Sequence, residues 1–180
     1  PDFIRSYPLA KNIKNFGFFS YDTNEALHLS DQEKTTITGL LDNIGNELNT
    51  AIDEVSQDVI VSYIDVLLNY SNRFYKRQFI TRKAVNNDVL AKMDIVLEKY
   101  FNEQETLNKG LPTVEFLAST LNLSPHYLSD MLRNLTGLNA QQHIHEKLIE
   151  KAKEYLTTTG FSVSEVAYAL GFEHPQSFNK

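Results

Sequence analysis

One short pattern occurs twice in the C-terminal part of the chain, and it constrains the fold more than any other feature. In the downstream copy Ser162 and Glu165 have the spacing of a capping box, in which a hydroxyl and a carboxylate satisfy the free amides of a helix start. Val163, Val166, Ala167 and Leu170 follow at helical spacing as one apolar stripe. Gly171 suits the left-handed position just past a helix end, Phe172 can fold back onto that helix, and Pro175 suits the first turn of the next one. The upstream copy covers residues 113–121, with Val114, Leu117, Ala118 and Leu121 on one face, then Asn122, Leu123 and the helix start Ser124-Pro125. Ala118, Leu121 and Asn122 align with Ala167, Leu170 and Gly171 at a constant offset of 49. Asn122 stands in for the glycine because Asn is the next most tolerant residue of the left-handed region.

Each copy predicts two helices joined by a tight turn, the arrangement in which a second helix can enter a DNA major groove. A plain helical hairpin uses the same caps and turns. The repetition favours a double reader, because residues 141–156 supply a connecting helix through Ile144, Leu148, Ala152, Tyr155 and Leu156. Helical geometry then selects contact residues. On the first recognition helix Leu128, Leu132 and Leu135 belong inside, which leaves His126, Ser129, Asp130 and Arg133 outside. On the second, Phe178 faces the core and Gln176, Asn179 and Lys180 form the outer face. Gln and Asn pair with adenine, Lys and Arg with guanine or phosphate, and Asp accepts from cytosine. The sequence stops about two turns into that second helix, which reads as a fragment of a longer protein.

These residues resemble the AraC/XylS family of bacterial transcriptional regulators. The likeness covers residues 111–180 and rests on Leu117-Ala118, Ser124, Leu128-Ser129, Thr136-Gly137, Lys147-Leu148, Ala152, Leu156, Val166-Ala167, Gly171-Phe172 and Phe178. It implies a DNA-binding domain of two helix-turn-helix units, at residues 104–180 and incomplete at its C-terminal end. Asp130 and Lys180 stand where many members carry Arg, and Lys147 also replaces a common Arg, so base preference does not carry over. The resemblance further implies a homodimer, double-stranded DNA and RNA polymerase as partners, a small-molecule effector bound upstream, and a cytoplasmic location.

Residues 1–103 read as the end of a sensor region with dimerisation helices. Phe16, Phe18, Phe19 and Tyr21 make a short β-prone remnant. After Ser30 a helix is expected to about Val55 and a second over residues 57–79. Ile60, Tyr63, Leu67, Tyr70 and Phe74 follow a 3-4-3-4 spacing, while Val59, Ile64, Val66 and Leu68 add apolar surface. A helix apolar on more than one side needs two neighbours, so these five residues are the dimerisation candidates, with burial in the chain's own bundle as the other reading. Arg73, Lys76, Arg77, Arg82 and Lys83 form a basic run read as a solvated helix end. Residues 87–100 give one more amphipathic helix, and residues 102–110 read as an interdomain linker.

Charge is mildly unfavourable to DNA: 17 Lys+Arg against 23 Asp+Glu give a net charge of -6, whereas phosphate binding favours a basic face. Lys147, Lys151 and Lys153 alternate with Glu146, Glu150 and Glu154 and read as a solvated ion-pair face. With 0 Cys there is no disulfide scaffold or thiol nucleophile. No apolar run reaches membrane-spanning length. His143 and His145 are two apart, which is not the metal-binding helical spacing. No catalytic constellation, metal site or cofactor loop is expected. The expected fold is all-α, and the functional alternative to a regulator is an all-α protein-interaction module that does not bind DNA.

Overall fold

The computed structural model describes residues 2–50, 53–103, 105–172, 174 and 176. It divides into two units, Pro1–Thr81 and Arg82–Lys180, and no strand occurs among the described residues.

The first unit holds α1 (Pro8–Asn12), α2 (Asp31–Asn49) and α3 (Ser56–Thr81), and α2 packs against α3. Ser30 starts α2 as a full capping box: its Oγ accepts from the Glu33 amide at 3.3 Å and the Glu33 carboxylate accepts from the Ser30 amide at 2.8 Å. The helix stops at Asn49, short of Val55, for a local reason. Asn49 and Thr50 bond back to the carbonyls of Gly45 and Asn46 at 2.8 and 2.6 Å. Asp53 Oδ1 then takes the amides of Val55 and Ser56, both at 2.9 Å, and so starts the next helix.

The β-prone reading of the aromatic segment is corrected: Gly17–Ser20 is a 3-10 turn. Its rings find a helix instead of a strand, with Phe18 stacked on Tyr75 at 5.5 Å and Tyr21 edge-on to the same ring at 5.1 Å. β propensity describes a preference for packed, half-buried surface, and α3 supplies that surface here. Buried Gln78 then pins the following strand-like stretch, donating to the Ala26 carbonyl at 3.2 Å and accepting from the His28 amide at 2.8 Å.

The second unit holds α4 (Lys83–Asn102), α5 (Glu105–Lys109), α6 (Val114–Thr120), α7 (Pro125–Thr136), α8 (Ala140–Thr158) and α9 (Val163–Ala169). α8 is central and touches α4, α6, α7 and α9. Met93, Leu97 and Phe101 of α4 are buried, as are Leu117, Ala118, Leu128, Met131, Leu132, Ile144, Leu148, Val166 and Ala167. α4, assigned above to the sensor region, therefore packs within the unit that carries both repeats. The linker expectation is corrected as well. Residues 105–109 form α5, and Thr106 is buried in the same unit.

Candidate nucleic-acid interface

The two repeats have the same local geometry. Thr113 Oγ1 accepts from the Phe116 amide at 3.1 Å, and Ser162 Oγ accepts from the Glu165 amide at 3.3 Å. Both helices end on a residue near ψ 0°, Leu121 and Leu170. Each is followed by a left-handed residue, Asn122 at φ 56° and Gly171 at φ 87°, as the turn chemistry requires. The chain then closes back on the helix: Leu123 donates to the Ala118 carbonyl at 2.9 Å, and Phe172 to the Ala167 carbonyl at 3.0 Å. Every one of these pairs keeps the offset of 49.

The turns differ in what touches them. A Cβ on Gly171 would lie 2.7 Å from the Thr106 carbonyl oxygen, so this glycine is required by a close approach as well as by its φ. Thr106 Oγ1 donates to the Ala169 carbonyl at 3.0 Å, satisfying a helix-end acceptor of α9. α5 is thus a strut under the second turn. Sequence reasoning missed it because a lone Thr in a polar stretch carries no signal.

After the first turn, Ser124 Oγ accepts from the Tyr127 amide at 3.3 Å, and Pro125 opens α7. Leu128, Met131 and Leu132 are fully buried, and Leu135 is half-buried. His126 and Arg133 are exposed, while Ser129 and Asp130 are half-buried on the same outer side. Arg133 Nη1 donates to Asp130 Oδ1 at 2.9 Å. α7 ends on left-handed Gly137, and Thr136 Oγ1 hydrogen-bonds His143 Nε2 at 2.8 Å, tying α7 to α8. On the second recognition segment Gln176 is exposed, while Asn179, Lys180 and Phe178 lie outside the described residues.

Two of the three lysines of α8, Lys147 and Lys151, are not on a solvated face, which corrects the sequence reading for them, whereas Lys153 is exposed. Lys151 is buried and donates to Glu98 at 2.6 Å, Asn102 at 3.0 Å and Glu154 at 2.9 Å. Lys147 donates to Glu98 at 2.7 Å and to Glu150 at 2.9 Å. Hydrogen bonds from Lys147 and then Lys151 pull the Glu98 carboxyl down to about 2. Burial opposes the charge on Lys151, yet Glu98 and Glu154 outweigh it and hold the ammonium above the usual lysine value. Glu98 fastens α4 to α8 through two lysines, so neither is available as a ready phosphate contact. Leu156, placed on the apolar stripe, is exposed.

In the first unit the dimerisation candidates separate. Ile60 and Phe74 are buried, whereas Tyr63, Leu67 and Tyr70 are half-buried. Arg77 of the basic run is not a solvated helix end. Its guanidinium clasps Glu33 at 2.9 and 2.8 Å and donates to the His28 carbonyl at 2.8 Å.

A capped helix, a left-handed turn and a second helix with a polar outer face define a helix-turn-helix unit. Consistent with this, a family model described as "Helix-turn-helix domain" matches residues 117–180. The HTH-type transcriptional activator RhaS of Salmonella schwarzengrund is 26% identical over 149 residues, which cover 82% of this chain and 48% of that protein. RhaS of Salmonella newport and of Salmonella dublin give the same identity and shares. The chain spans about half the length of the curated relatives it matches. These findings place a helix-turn-helix domain over residues 117–180 and, with the motifs quoted above, support the resemblance to the AraC/XylS family. No solved structure matches the chain significantly. Among the described residues no helix is long and apolar enough to cross a membrane.

Proposed function

We propose that the chain is part of a bacterial, cytoplasmic, sequence-specific DNA-binding transcriptional regulator, which acts as a homodimer under an upstream effector-binding domain and acts on RNA polymerase. The observation that carries this reading is the repeated cap, turn and back-bond at an offset of 49, with His126, Ser129, Asp130 and Arg133 on the outer side of the first recognition helix. Gln176, Asn179 and Lys180 are the corresponding contacts of the second. Binding-site selection with the full-length protein tests it. Ser129→Ala and Asn179→Ala remove proposed base-edge contacts that lie outside the predicted core, so at least one should weaken the selected site about tenfold at fixed salt. Lys180→Ala, as a phosphate contact, should weaken all sequences alike and lower the salt slope by about one. A full-length protein that selects no sequence refutes the regulator.

The homodimer part rests on Tyr63, Leu67 and Tyr70, which remain half-buried on α3. Leu67→Asp should convert dimer to monomer in sedimentation at micromolar concentration while leaving the second unit folded. An unchanged dimer, or a wild type that is monomeric throughout, removes these residues from the interface.

A further inference from the structure

Asp130 is an unexpected residue on a surface that faces DNA. Its carboxylate repels phosphates, and as a lone reader it can only accept from a base donor. Its geometry offers another role. Asp130 and Arg133 are one helical turn apart on the outer side of α7, with Nη1 to Oδ1 at 2.9 Å and side chains 28% and 56% exposed. Asn134 is turned back onto the helix, donating to the Asp130 carbonyl at 2.7 Å. A guanidinium carries five donors in a planar fork. The ion pair engages Nη1, and among the described residues Arg133 makes no other hydrogen bond.

Two consequences follow from that arrangement. The ion pair biases the long arginine side chain toward one orientation, which lowers the entropy lost in a bidentate contact. The adjacent carboxylate also cancels most of its net charge, so a phosphate gains little from approaching, while the neutral O6 and N7 acceptors of guanine still match the fork. We propose that Asp130 is a positioning residue that holds the guanidinium of Arg133 as a reader of one guanine in the major groove. This rests on the DNA-binding reading above.

The test uses the full-length protein and the DNA site it selects, with each base replaced singly, at several salt concentrations. Wild type should prefer guanine at one position under α7 by about tenfold. Arg133→Ala should abolish that preference while changing the salt slope by well under one, because a neutralised arginine releases few counterions. Asp130→Ala should bind non-specific duplex as tightly as wild type or tighter, steepen the salt slope by about one, and cut the guanine preference at least about fivefold. Asp130→Asn, which keeps an acceptor, should retain part of it. Arg133 is exposed and Asp130 half-buried, and circular dichroism checks that the variants are folded. An unchanged guanine preference in Asp130→Ala overturns the proposal and leaves an ordinary surface ion pair. So does an Arg133→Ala variant that weakens all sequences alike, or a selected site with no guanine preference. In these cases DNA selection itself survives. A full-length protein that selects no DNA sequence removes the regulator and this inference together.

Discussion

The two units use the same helical code but are held together differently. Among the described residues, the buried apolar side chains of the first are Leu9, Ile60, Val61, Phe74 and Phe79, and no residue of its long helix α2 is buried. Its order depends on polar clasps: Arg77 on Glu33 and His28, Gln78 on Ala26 and His28, and aromatic rings around Tyr75. In the second unit Leu117, Ala118, Leu128, Met131, Leu132, Val166 and Ala167 are fully excluded from water. Two helices cannot enclose an apolar face, whereas helices around a central α8 can. Periodicity therefore specifies the helices of both units, but only the second closes a dense core. The half-buried stripe of Tyr63, Leu67 and Tyr70 on α3 is the surface that the proposed second copy would cover.

The largest test of that contrast is a matched pair of truncations. Leu132→Ala in the second unit should cost about 3 kcal/mol, since a fully buried leucine loses its transfer energy and leaves a cavity. Leu41→Ala, at a position 51% exposed, should change stability by no more than about 0.5 kcal/mol. Urea unfolding of each variant measures both. Equal losses would mean that the units do not differ in packing. Next in size is Gly171→Val, which meets a positive φ of 87° and the Thr106 carbonyl together. It should cost about 2 kcal/mol or more and loosen α5 along with the second turn. Wild-type unfolding midpoints in this variant would remove the strut from the account.

The comparison also shows what the sequence could reveal. Caps and turns are local, so Ser30 with Glu33, Ser162 with Glu165, and the left-handed Asn122 and Gly171 were all readable from residue type and spacing. The outer side of α7 followed from the buried period of Leu128 and Leu132. Contacts between distant residues were not readable. Nothing in the alternating charges of α8 says that Lys147 and Lys151 turn toward Glu98, about fifty residues earlier, and not to water. Thr106 under Gly171 is the same kind of contact. The aromatic segment misled because the residues that favour strands also favour packing on a helix, as Phe18 does on Tyr75.

Glu98 gives the smallest expected effect, and its sign is fixed by the direction of its shift. Its carboxyl is pulled from an ordinary 4.5 down to about 2 by Lys147 and Lys151. A group with a lowered folded-state pKa stabilises the fold above its ordinary value and loses that contribution as pH falls. The Glu98 contribution should therefore be complete above about pH 4.5 and disappear toward pH 2. Its side chain is 41% exposed, so solvent screening reduces the effect to about 1 kcal/mol. Glu98→Gln should be less stable at neutral pH, and it should lose less stability between about pH 5 and pH 3 than wild type. Glu150→Gln is the matched control, since Glu150 bonds the same Lys147 but is 66% exposed, and it should behave like wild type. Urea titrations at several pH values compare the three. If wild type and Glu98→Gln lose stability with the same slope, the pairing of α4 with α8 is not electrostatic, and the second unit is held by its apolar core alone.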